Sequence, residues 1–95
     1  MPRYKKKYEE DPDLPVDIVV TGLTLDRATH LKSILSHHGD DLKVLEYRDN
    51  YTIKVVNKRQ KLAKTIKKEI RKEEFDSQLY QPGFYQDTKF QPIII

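Results

Sequence analysis

The chain has 95 residues, 37% hydrophobic and 35% charged, with 18 Lys and Arg against 15 Asp and Glu for a net charge of +3. That length suits one small domain. No run approaches the ~20 apolar residues of a membrane helix, and no apolar stretch follows the basic N-terminus as a secretory signal would require. The absence of cysteine removes disulfide frameworks, thiolate nucleophiles and cysteine zinc sites, which fits a reducing, cytoplasmic setting.

Residues 1–15 read as a flexible charged arm. Arg3, Lys5, Lys6 and Lys7 alternate with Tyr4 and Tyr8, the acids Glu9, Glu10, Asp11 and Asp13 follow, and Pro12 and Pro15 interrupt any regular element. Such a stretch has too little apolar surface to offset its ordering entropy. The basic cluster could reach onto a nucleic acid, but a solvated tail is the ordinary alternative. A single α+β domain is expected over residues 16–75, followed by an aromatic tail over 76–95.

Val16-Asp17-Ile18-Val19-Val20-Thr21 is rich in β-branched residues, is closed by Gly22, and predicts a central strand. Thr24 then offers an N-cap for a helix from Leu25, with Asp26 in its first turn, where the helix dipole favours an anion. Ala28, Leu31, Ile34, Leu35 and His38 recur at helical spacing, and Gly39 stands where a left-handed C-terminal cap belongs.

Leu42 to Asn57 reads as a hairpin. A three-residue loop, Arg48-Asp49-Asn50, with Asn50 in the left-handed conformation, puts Leu45, Tyr47, Tyr51, Ile53 and Val55 on the core face. A two-residue Asp49-Asn50 turn would bring Glu46 and Arg48 inward instead. A second helix is expected after Asn57 as N-cap and as far as Glu74, with Leu62, Ala63, Ile66 and Ile70 on its apolar side and the stem of Arg59 along the edge. In the tail, Tyr80, Phe84, Tyr85 and Phe90 surround Pro82-Gly83, and Ile93-Ile94-Ile95 after Pro92 suits a short edge strand. The order β-α-β-β-α, with a possible closing β, predicts a small ferredoxin-like sandwich with both helices on one face of an antiparallel-rich sheet.

Catalytic signals are absent: there is no phosphate-binding glycine loop, no H-E-x-x-H and no G-x-S-x-G elbow. Ser33 and Ser36 fall among ordinary helix positions. No residues supply a nucleophile, base and orienter together, so no catalytic residue is assigned and a non-enzymatic role is expected. His37, His38, Asp40 and Asp41 carry metal-ligand atoms, but adjacent helical side chains point about 100° apart. Helix C-terminal histidines commonly serve the final carbonyls instead. No metal or cofactor is assigned.

The strongest signal is electrostatic. Lys58 to Lys72 contains eight Lys and Arg and one acid, Glu69, so it carries +7 and the rest of the chain −4. Positive charge gathered on one helix is the footprint of a phosphate-backbone binder, although solvated lysine faces are also common. Lys58, Lys61, Lys64, Lys68, Arg71 and Lys72 are the candidate contacts to DNA or RNA. Ile18-Val19-Val20-Thr21-Gly22-Leu23 resembles the first-strand motif of the RNA-recognition motif family over those six residues, without its aromatic. The segment Tyr51-Thr52-Ile53-Lys54-Val55-Val56-Asn57 departs from that family's glycine-containing third-strand signature. Tyr47 and Tyr51 could stack bases, or simply pair across the hairpin.

The alternative function is a protein–protein adaptor or inhibitor. In it Tyr80, Phe84, Tyr85 and Phe90 meet a partner and the basic helix steers an acidic protein. A membrane-surface role is disfavoured because the apolar stripe lacks bulky anchors and is needed by the core.

Overall fold

A computed structural model describes residues 14–83 and 88–95. The arm expected over residues 1–15 lies outside the described residues except for its last two. Strand β1 (Pro15–Leu23) is longer than its apolar run because it continues through a bulge at Thr21-Gly22, where Gly22 takes φ +70°. Thr24 caps helix α1 (Leu25–Leu35), its side chain accepting from the Arg27 N–H at 3.3 Å. The helix is shorter than expected. A 3-10 segment, Ser36–Asp41, takes up His37, His38 and Gly39, and Gly39 (φ 61°, ψ −130°) kinks it rather than capping α1.

Strands β2 (Leu42–Tyr47) and β3 (Asn50–Arg59) form the hairpin in a register different from the one expected. The loop has two residues, Arg48 and Asp49, both with positive φ (49° and 66°), as a type I′ turn requires. The Glu46 carboxylate accepts the Asp49 N–H at 3.1 Å and braces that turn. Val44 therefore faces Ile53 in the core, while Leu45 faces Thr52 on the other side of the sheet. Tyr51 is buried in the core and Tyr47 stands on the opposite face, so the two tyrosines neither pair nor form one platform. Arginine is an unfavourable residue at positive φ, yet Arg48 takes it in the register that sets Val44 rather than Leu45 against Ile53.

Asn57 does not cap the second helix. It lies in a bulge of β3 with φ +58°, and its N–H is accepted by the Asp17 carboxylate at 3.0 Å. Because Asp17 satisfies that amide, β3 runs on to Arg59 and helix α2 spans Gln60–Lys72. Its inward residues are Gln60, Ala63, Ile66 and Ile70, and Leu62 is 46% exposed. Ala63, Ile66 and Ile70 join Ala28, Leu31 and Leu35 of α1 over Val16, Ile18, Val20, Val44, Ile53 and Val55, so one cluster holds both helices to one sheet face.

The tail completes the sheet at both edges. Strand β4 (Gln78–Tyr80) pairs with β1 and strand β5 (Gln91–Pro92) with β2. The fold is α+β, with a five-stranded antiparallel sheet in the order β4-β1-β3-β2-β5 and two helices. The sheet is one strand wider than the sequence predicts, since residues 76–95 supply two short strands rather than one. The expected Ile93–Ile95 strand gives way to Gln91–Pro92. Ile93 still donates its N–H to the Val44 carbonyl at 2.9 Å, and Ile93 and Ile95 turn onto the core.

Between β4 and β5 the chain passes from one sheet edge to the other. Its described ends lie on the helix-free face. There the Gly83 N–H donates to Asp17 at 3.1 Å, and the Phe90 ring packs 5.8 Å from that of Tyr47. Asp17, only 2% exposed, thus joins the β3 bulge to the tail with its two oxygens.

Candidate nucleic-acid interface

Helix α2 owes its position to its inward residues and its character to its outward ones. Burial of Ala63, Ile66 and Ile70 turns Lys61, Lys64, Lys68, Arg71 and Lys72 to solvent, with Lys67 half-buried beside them. Glu69, also half-buried, is the helix's sole acid. Among the described residues none of these six cations forms an ion pair. Among the described residues no ion pair relieves their mutual repulsion, so the face can attract an anion.

Lys58 does not belong to this face. It is a strand residue whose ammonium meets the Asp41 carboxylate at 2.8 Å, with its side chain only 14% exposed. The hydrogen bond from Lys58, with its charge, holds the Asp41 carboxyl below the usual carboxylate range. The bulge at Asn57 that keeps β3 extended also turns Lys58 inward and uses its charge inside the fold. Lys67, half-buried, stands beside the face instead. Its spacing from Lys64 and Arg71 on the helix was the available signal.

The end of α2 is held by α1. Glu74 takes φ +67° in the position that follows the helix, and the Phe75 N–H returns to the Ile70 carbonyl at 3.2 Å. That turn buries Phe75, whose ring lies 4.5 Å below the Arg27 guanidinium. Arg27 also donates to the Glu74 carbonyl at 3.5 Å, and His30 meets Glu73 at 3.2 Å. Beyond the turn the chain runs back along the helix, leaving a notch of about 270 Å³ between Lys64, Lys67, Lys68 and Arg71 on one side and Phe75 to Ser77 on the other.

The aromatic residues are arranged differently from the cations. Tyr80 is half-buried in β4, its hydroxyl donating to Gln78 at 2.8 Å, and Phe90 is half-buried against Tyr47. Phe84 and Tyr85 lie outside the described residues. A broad groove of about 910 Å³ runs past Tyr47, Thr52, Tyr80 and Phe90 on the helix-free face and reaches Arg27 and Phe75 at its end. The structure therefore does not bring these aromatics to the face that carries the cations.

His37 and His38 stack at 4.1 Å, and burial, followed by the charges of His37 and Lys58, lowers the affinity of His38 for a proton. Among the described residues no group of three or more His, Asp or Glu stands together as metal ligands, and no helix is long and apolar enough to cross a membrane. Compared with known protein families, curated proteins and solved structures, the chain matches none of them.

Proposed function

We propose that this protein is a small non-enzymatic nucleic-acid-binding domain that holds the phosphate backbone on the outer face of α2 through Lys61, Lys64, Lys68, Arg71 and Lys72. The observation that carries the reading is the set of cations on that helix with no ion-pair partner among the described residues. Such contacts position a nucleic acid without reading its sequence, so the reading implies low sequence specificity. We further infer a ferredoxin-like plan, supported by the run β4-β1-β3-β2 within the sheet and extended by β5 at one edge. The adaptor alternative is weakened by the half-burial of Tyr80 and Phe90, two of the four tail aromatics it relies on.

The test is retention of labelled single-stranded and duplex DNA and RNA at two salt concentrations. Affinity should fall as salt rises, and replacing any one of Lys61, Lys64, Lys68 or Lys72 by Gln should reduce the log–log slope by about one. The double variant Lys64→Glu/Lys68→Glu should lose nearly all binding and keep its thermal midpoint, because both side chains are exposed. No retention of any of the four nucleic acids at low salt would overturn the proposal.

A further inference from the structure

The cations of α2 are not spread evenly around its outer side. At about 100° per residue, Lys61, Lys68 and Lys72 form the outermost ridge, opposite the buried Ala63, Ile66 and Ile70. On one flank of that ridge stand Lys64, Lys67 and Arg71, beside the chain segment from Phe75 to Ser77. The other flank carries Leu62, Thr65 and Glu69, and Glu73 extends it by one turn. Helix α1 lies on that second side: its His30 meets Glu73 at 3.2 Å, and the charge of Glu69 acts on His38 just beyond it. One flank of α2 is therefore cationic, and the other is acidic and apolar and bordered by α1. Arg59, exposed at the end of β3, brings a cation only to the foot of the second flank, and Lys58 beside it is held by Asp41.

We propose that the ligand of α2 is a single strand of nucleic acid, lying lengthwise along the ridge and the flank of Lys64, Lys67 and Arg71. The inference rests on the proposed function and names its ligand class. A helix seated in the major groove, about 12 Å wide, runs between two phosphate backbones and meets phosphates on both flanks. Here the second backbone would face Glu69 and Glu73. Without insertion, a convex helix meets a convex duplex, and the two stiff surfaces part after about two or three phosphates. A single strand bends to follow the row. At about 1.5 Å per residue the cations from Lys61 to Lys72 extend over about 16 Å, long enough for several successive phosphates. Helix α2 has no aromatic residue on which a base could stack, so the strand is held by its phosphates with its bases in solvent. The denser charge of a duplex favours it at each contact, and the number of contacts decides against it.

The experiment measures binding of the full chain to short unstructured single strands and to duplexes of the same length, in DNA and in RNA, across a salt series. Single strands should bind more tightly than duplexes. Their log–log slope should be about −3.5 for the five exposed cations of α2, against about −2 to −3 for a duplex touching two or three phosphates. Lys67→Gln should weaken single-strand binding a few-fold although Lys67 is half-buried, and Arg59→Gln should leave it unchanged although Arg59 is exposed. Glu69→Lys supplies the missing flank, so it should raise duplex affinity more than single-strand affinity and steepen the duplex slope by about one. Should that variant melt early, Thr65→Lys makes the same test from an exposed position. Duplexes bound as tightly as single strands, or with the steeper slope, would overturn the one-strand track and leave the cationic face standing as the binding surface. Equal losses in Arg59→Gln and Lys67→Gln would overturn it too. No retention of any of the four ligands at low salt would overturn the helix-face reading itself, and this inference with it.

Discussion

Helices α1 and α2 lie on the same sheet face and bury similar apolar stripes, yet they use their charges in opposite ways. In α1 the polar side chains serve the fold: Arg27 covers Phe75, the His30 ring meets Glu73, and Lys32 donates to the Ile95 carbonyl at 2.7 Å. In α2 six cations crowd thirteen residues, and among the described residues none has an ion-pair partner. Lys58 and Lys64 make the same contrast six residues apart. One is neutralised by Asp41 and the other is exposed. Charge becomes available for a ligand where the tertiary structure provides no partner for it, not simply where the sequence concentrates it.

If the two helices are equivalent as packing elements, their cores should fail alike. Leu31→Ala in α1 and Ile66→Ala in α2 should each cost ~2–5 kcal/mol in urea unfolding, since both residues are fully buried. A loss below ~1 kcal/mol at either position would show that its helix is peripheral. That is the largest expected effect, and it is a sizeable share of the ~5–15 kcal/mol stability typical of a domain.

The charge contrast predicts a crossed pair of smaller effects. Arg27→Gln should lower stability by ~0.5–1 kcal/mol through the lost ring contact and leave nucleic-acid affinity unchanged. Lys64→Gln should do the reverse, weakening binding while stability stays within ~0.5 kcal/mol of wild type. Parallel melting curves and filter-binding assays on the two variants check this. Equal loss of affinity in both would mean that α1 also contacts the ligand.

The smallest effect is a pH dependence at the end of α1. Burial, then the charges of His37 and Lys58, lower the folded-state pKa of His38, while Glu69 and Asp41 act weakly in the other direction. The unfolded chain therefore takes up the proton first as pH falls below about 6.5. Stability should decline from that pH down to the lowered folded-state value, then stop changing on this account. Thermal midpoints between pH 7.5 and 5.5 should show the decline, and His38→Gln should flatten it. An identical profile in His38→Gln would assign the dependence to another group.

Features that are local or periodic can be read from the chain alone. The β-branched run at Val16–Thr21, the Thr24 cap, the helical spacing of Ala28, Leu31 and Leu35, and the stripe Ala63, Ile66 and Ile70 are all legible, because neighbours along the chain set backbone preference and face. So is the concentration of cations from Lys61 to Lys72. Features that depend on a partner distant in sequence emerge only when the chain is folded. A shift of one residue in the hairpin exchanges the side chains of β2 between faces while Tyr51, Ile53 and Val55 of β3 keep theirs, and the competition between Val44 and Leu45 for Ile53 can be judged only across strands. Asn57 looks like a cap until Asp17, forty residues away, accepts its amide and prolongs β3. Lys58 looks like part of the basic face until that longer strand brings it to Asp41. In each case a polar or charged group acquires its role only from what surrounds it in the fold.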